Sequence, residues 1–249
     1  MKNAATLQRR RVRHERQQHL VEGPHAVEAA LLAGVVQELF VADTFALEEL
    51  GAGKDLAEQL VTWVAPHVLA KLADTPAPQG VVAVANTPPA ASLAALQRGV
   101  VIVADINDPG NAGTIVRTAD ASGAAGVVFT VGSVDPYSPK ALRSAAGSTY
   151  HLPIVTNVTP AELVAHAQVN NWHIAVFDAS GDVDVLAFTP QNEVTCLIFG
   201  HETHGVEQTL QDAADTTVTI TMFGQAESLN VSAAAAIATY AVCGRYRTA

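Results

Sequence analysis

Cysteine is nearly missing from this chain. Only Cys196 and Cys243 occur in 249 residues, far apart and outside any CxxC spacing. That excludes a disulfide framework and a cysteine-based structural zinc site. Aromatic residues make up just 5%, which argues against an aromatic-rich sandwich. Hydrophobic residues nevertheless reach 49%, mostly Ala, Val and Leu, enough to fill closely packed α/β layers. No apolar run is long enough to cross a membrane, and the basic N-terminus is not followed by the apolar stretch of a secretory signal. The expected location is cytoplasmic.

Positive charge is also scarce, with a net charge of −10. Its distribution matters more than its sum. Lys2, Arg9, Arg10, Arg11, Arg13 and Arg16 are six of the fourteen basic residues, all within the first sixteen positions. A flexible basic arm over 1–19 on an acidic body suits contact with phosphates, although a merely solubilising terminus has the same composition.

The order of apolar runs and turn residues gives an α/β reading. From Leu20 to about Asn86 short helices and strands alternate, with a helix in VEGPHAVEAALLAG (21–34), another over 46–60, and strands near 38–42 and 80–85. NTPPAASLAALQRG, with its Pro pair, reads as a linker over 87–99. From residue 100 to 249, buried-type strands alternate with helices: 100–106, 125–131, 152–158, 172–179, 195–200 and 217–222 are strands, and an Ala-rich helix starts near 229. That rhythm predicts a mostly parallel sheet. Ligands bind beyond the carboxyl ends of such strands. Three loops there are rich in Gly, Asn, Glu and Ser: DPGNAG, GHETHG and FGQAESLN.

In the first, Gly110 and Gly113 permit a tight turn around Asn111. Arg117 follows most of two helical turns later, close enough to return to the same mouth, though it also suits a surface helix. GxGxxG is absent and no acidic ribose partner follows, which excludes a nicotinamide dinucleotide site. In the second, Gly200 and Gly205 bracket His201, Glu202 and His204. HETH is not HExxH and lacks a helical frame, so no metal is expected. In the third, Ser228 or Asn230 can cap the following helix, but the run of small residues through 238 implies very close packing.

In this order and spacing the blocks resemble the SpoU/TrmH family of RNA ribose methyltransferases, within the knotted SPOUT superfamily. Asn111, Gly113 and Arg117 match its first motif, and Gly200, Glu202 and Gly205 its G-x-E-x-x-G. Met222, Gly224 and Ser228 through Ser232 match its Met-Gly stretch running into SLNVS. DPYSPKALRSAAGS (135–148), with Lys140 and Arg143, is similar to the family's connecting helix. VEGPHAVEAALLAG and TPAPQGVVAVA (75–85) resemble the opening and close of its substrate-binding extension.

The resemblance implies a trefoil-knotted parallel-sheet methyltransferase domain over 100–249, and a small ribosomal-protein-like α/β RNA-binding domain over 20–86. It implies S-adenosylmethionine as cofactor, with Gly200, Ile220, Met222 and Leu229 as contacts. Arg117 would be the central catalytic residue, supported by Asn111, Glu202, Ser228 and Asn230. The family's site forms across a homodimer, with the arginine facing the partner's cofactor pocket, and the expected substrate is a ribose 2′-hydroxyl of RNA, 23S ribosomal RNA ahead of transfer RNA. An RNA-binding module without catalysis is the non-enzyme alternative. His201 departs from relatives that carry Asn or Ala there, and is expected to tune the loop.

Overall fold

The computed structural model describes residues 2–201 and 203–246. The chain forms two compact units: Met1–Pro89 with Asp135–His151, and Ala90–Val134 with Leu152–Ala249.

The first unit runs α1 (Lys2–Ala5), α2 (Arg10–Arg16), β1 (Gln18–Glu22), α3 (Pro24–Leu32), β2 (Val36–Val41), α4 (Thr44–Glu48), α5 (Lys54–Ala57), β3 (Val61–Trp63), α6 (Pro66–Leu69) and β4 (Val81–Asn86). Its sheet order is β1-β4-β2-β3, with β4 antiparallel to both neighbours and β3 parallel at the edge. The period of two along β4 divides the core. Val81, Ala83 and Ala85 pack with Val27, Ala30 and Leu31 of α3, while Val82 and Val84 pack with Leu7, Leu20 and Phe40. The helix expected over 46–60 is instead broken into α4, a 3-10 turn at Gly51–Gly53, and α5. Gly51 sits at φ +53, a left-handed conformation that interrupts a helix.

Residues 2–19, all that is described of the expected arm over 1–19, do not form the flexible arm that their charge suggests. They fold as α1, a 3-10 turn over Thr6–Gln8, α2 and the start of β1. Leu7 is fully buried. Arg13, 6% exposed, donates from Nε and Nη2 to Asp135 Oδ2 at 2.9 and 2.7 Å, and from Nη1 to the carbonyls of Leu7 and Gln8. Asp135 also accepts from the Tyr137 amide. A polar cluster continues with His19, whose Nε2 is 2.8 Å from Tyr150 Oη and whose Nδ1 is 3.2 Å from Thr87 Oγ1. Burial lowers the His19 pKa to about 4, with Asp135 opposing and Arg13 adding to the effect. Burial, and then Asp135, push the Tyr137 hydroxyl up to about 12.

The second unit starts with β5 (Gly99–Ala104), α7 (Pro109–Ser122) and β6 (Gly126–Thr130). The chain then supplies 135–151, with α8 (Pro139–Ala145), to the first unit. It resumes with β7 (Ile154–Val158), α9 (Pro160–Val169), β8 (His173–Phe177), β9 (Val183–Asp184), β10 (Val194–Phe199), α10 (Gln208–Asp212), β11 (Thr216–Thr219) and α11 (Val231–Tyr246). Seven strands pair in the order β7-β6-β5-β10-β8-β11-β9, every pair parallel. Leu96, Val101, Val128, Ile174, Cys196 and Ile198 belong to its main buried cluster, so Leu96, in the expected linker, is core. Among the described residues no helix is long and apolar enough to span a membrane.

Two stability tests follow. Asp135→Ala strands a buried guanidinium and should cost about 3–5 kcal/mol in urea unfolding, whereas Arg13→Met with Asp135→Leu should recover most of it. His19 is neutral when folded and protonates near 6.5 when unfolded, so its contribution is complete above that value. It is lost as pH falls towards 4, by roughly 3 kcal/mol at most. His19→Gln should flatten that part of the stability–pH curve.

Candidate active site

The carboxyl ends of the parallel strands enclose a cavity of about 790 Å³ in the second unit. Its floor and walls come from the ends of β8, β10 and β11, and its rim from the loop entering α11. Register explains the convergence. Phe199 of β10 aligns with Ala104 of β5 and Phe177 of β8, so these strands terminate level. The rings of Phe177 and Phe199 stack with centroids 4.7 Å apart and give the cavity an apolar side. Beside them Asp178 accepts from the Ser180 hydroxyl and amide, which holds its carboxyl below the usual range and keeps it anionic.

Gly200, Ile220, Met222, Ser228, Leu229 and Asn230 all line this cavity, as does His201. The glycine is required by a close backbone approach. A Cβ on Gly200 would stand 2.2 Å from both Gly205 C and Val206 N. The loop closes there as an antiparallel bridge in which the amides of His201 and Gly205 each donate to the other's carbonyl at 2.9 Å. Glu202 lies outside the described residues.

Asn230 does two jobs that sequence alone presents as alternatives. Its Oδ1 caps α11, accepting from the Ser232 amide at 2.9 Å and the Ser232 hydroxyl at 2.6 Å. Its Nδ2 donates to Asn111 Oδ1 at 3.2 Å, joining the third block to the first. Asp108 caps α7 by accepting from the amides of Gly110 and Asn111. Ser228 is exposed on the cavity rim and caps nothing.

Arg117 does not return to the mouth. Six residues of helix amount to about 600°, or 240° net, so it emerges on another face than Asn111. It is exposed on α7, lines no part of the cavity, and has no hydrogen-bond or ion-pair partner among the described residues. Phe177 and Asp178 were not among the expected site residues, although DASGD follows a strand and carries the same Gly/Ser signature as the other three loops. Among the described residues no cluster of His, Cys, Asp and Glu could hold a metal ion.

A small-molecule pocket at the carboxyl ends of a parallel sheet, built from glycine-bracketed and Ser/Asn-rich loops, defines a ligand-binding α/β enzyme class. Residues 98–240 match the SpoU rRNA Methylase family, and residues 1–83 match the MRM3-like substrate binding domain. The chain belongs to the SpoU rRNA methylase family. A 23S rRNA (guanosine(2553)-2′-O)-methyltransferase of Bacillus subtilis is 36% identical over 230 residues, 90% of this chain and 88% of the relative. A 23S rRNA (adenosine(1067)-2′-O)-methyltransferase of Streptomyces azureus is 32% identical over 146 residues, 58% of this chain and 54% of the relative. The crystal structure of the SpoU methyltransferase AviRb from Streptomyces viridochromogenes, in complex with AdoMet, superposes with a TM-score of 0.85 at 30% identity, covering 100% of this chain and 97% of that one.

Gly200→Ala should force the Gly205–Val206 backbone away and break the bridge. Amide hydrogen exchange at His201 and Gly205 is then expected to accelerate by at least about tenfold, with core strand amides unchanged.

Proposed function

We propose that this enzyme binds S-adenosylmethionine in the cavity at the ends of β8, β10 and β11 and methylates a ribose 2′-hydroxyl of 23S ribosomal RNA in the cytoplasm. One observation carries the reading: Gly200, Ile220, Met222, Ser228, Leu229 and Asn230, separated by up to thirty positions, line a single cavity. Its volume of about 790 Å³ lies within the roughly 300–1,000 Å³ of small-molecule sites. The residues also fit the cofactor chemically. Main-chain groups at Gly200, Ile220 and Leu229 can read an adenine edge, Phe177 and Phe199 supply an apolar surface, and the Asp178 carboxylate can accept from ribose hydroxyls or face a sulfonium.

Bound there, the cofactor supplies a methyl group already made electrophilic by its sulfonium, without help from a metal. The chain's task is to hold the hydroxyl in line and stabilise the charge that develops on it. Arg117 carries that role: its guanidinium donates five N–H groups, suits a phosphate next to the target ribose, and is no base. Asn111 and Asn230 fix the two loops relative to each other, Ser228 completes the rim, and Glu202 is given a supporting role by its place in the G-x-E-x-x-G motif.

Arg117 points away from its own chain's cavity, which supports a homodimer in which it serves the cavity of a second copy. α11, against which α7 packs, leaves Ile237 and Tyr240 exposed at helical spacing, and Phe223 is 94% exposed on the loop before it. An apolar face of this kind is commonly covered by a partner. RNA is held by the first unit, where Arg9, Arg10 and Arg16 are exposed on a folded scaffold that matches a substrate-binding domain. That match favours ribosomal over transfer RNA.

Transfer of radiolabelled methyl to 23S ribosomal RNA tests the reading, with the product mapped as a 2′-O-methylnucleoside. Arg117→Ala should lower turnover by at least about a hundredfold while calorimetric affinity for S-adenosylmethionine stays unchanged. Undiminished turnover removes Arg117 from catalysis, and label recovered on a base removes the ribose.

A further inference from the structure

The proposed cofactor cavity has a wall held by contacts that its residue types alone do not explain. His201 sits in that wall between two loops. Its Nδ1 accepts from the Thr203 amide at 3.1 Å and lies 2.7 Å from the Thr203 hydroxyl. Its Nε2 is 2.5 Å from Asn107 Nδ2, in the turn between β5 and α7. His201 therefore links the loop carrying Gly200 to the loop leading to Asn111.

The chemistry of the ring restricts its charge state. A main-chain N–H cannot turn, so Nδ1 must offer a lone pair to Thr203. A neutral ring then carries its proton on Nε2 and donates it to Asn107 with that amide turned end for end, its oxygen in the place assigned to Nδ2, since the two ends have the same shape. An imidazolium has no lone pair, so its Nδ1–H would confront the Thr203 N–H. The Thr203 hydroxyl can rotate to accept, but the amide is left unmet.

Among the described residues the surrounding groups do not replace that acceptor. His204 packs edge-on with ring centroids 5.0 Å apart and its Nδ1 3.4 Å from that of His201. Asp178 and Glu227 line the same cavity, Asp105 and Asp108 flank Asn107 in sequence, and Glu202 and Glu207 belong to the His201 loop or its end. Asp108 and Glu207 accept from the first amides of α7 and α10. These carboxylates favour a positive ring by attraction, and His204, once charged, opposes it.

We propose that His201 is a positioning residue: as a neutral imidazole it staples the β10 loop to the β5–α7 turn, and protonation releases the staple and loosens the cofactor wall. This rests on the cavity being the S-adenosylmethionine site. It gives the residue before Glu202 a definite task in this chain, and makes cofactor affinity fall in mild acid.

Two measurements on the full-length protein separate the staple from the function it serves. The first is a long-range proton–nitrogen NMR spectrum of labelled protein without ligand. At pH 8 the His201 ring should be Nε2-protonated, and Asn107→Ala should perturb it. An Nδ1-protonated or already cationic ring overturns the staple, whatever the protein binds. The second is the pH dependence of KM and kcat for S-adenosylmethionine. Between pH 8 and pH 5.5 the KM of the unmodified enzyme should rise on the order of tenfold, the worth of about one hydrogen bond, with kcat changing far less. His201→Asn, a neutral side chain that cannot be protonated, should lose the acid rise whatever its KM at pH 8. His201→Ala should have the raised KM throughout, and His204→Asn should retain the acid rise. A persistent acid rise in His201→Asn, or an unchanged KM in His201→Ala, overturns the proposal. Absence of S-adenosylmethionine binding in the unmodified protein would instead count against the cavity assignment, and the NMR result would still decide the staple.

Discussion

Strand β10 is buried at each of its six positions and pairs with β5 on one side and β8 on the other. Its partners come from far apart in sequence, so nothing local specifies the pairing. Side-chain register does. A slip of one residue would turn Cys196 and Ile198 out of the cluster they share with Val101 and Val103. Because Phe199, Ala104 and Phe177 end level, the loops after them emerge together. The cavity, the Gly200 approach and the polar links between loops all depend on that alignment.

Within the site, the β5–α7 turn joins the other two blocks. Asn107 reaches His201 and Asn111 reaches Asn230, while Asp108 between them caps α7. Two short amide side chains in five residues fasten one loop to two others, and the aspartate between them fixes the loop to its own helix. Short side chains lose little rotamer entropy when fixed, and amides bond without a net charge that solvent would screen. A cavity wall built this way can be stiff although its loops are exposed.

The sequence makes the parallel sheet legible because a strand buried on both faces must be a continuous apolar run, as VVIVA and TCLIF are. That Gly200, Ile220, Met222, Ser228, Leu229 and Asn230 come together around one cavity was legible through their position at strand ends and their spacing. Arg13 was not. An arginine in RRRVRHER looks like any other surface charge, and its partner lies 122 residues away. Periodicity tells which face of a helix is buried, but not what a charged residue on that face will meet. The return of 135–151 to the first unit was hidden for the same reason: α8 reads as an ordinary crossover helix. The expected return of Arg117 to its own chain's mouth fails because reach along a helix was counted and rotation around it was not.

Charge distribution gains a meaning that the net value of −10 conceals. Ten of the fourteen Lys and Arg belong to the first unit, against eleven Asp and Glu, which leaves that unit almost neutral. The second unit has four basic and thirteen acidic residues. At physiological salt a charge is felt over about 8 Å, so each ligand responds to its own neighbourhood. In the proposed function a phosphate backbone would meet the exposed arginines around α2, whereas a sulfonium cation would meet a cavity with Asp178 and Glu227 in its lining. Such a division would let an acidic protein handle RNA with one unit and a cationic cofactor with the other. Arg117 is then the informative exception: an exposed cation on the acidic unit, without an ion-pair partner among the described residues.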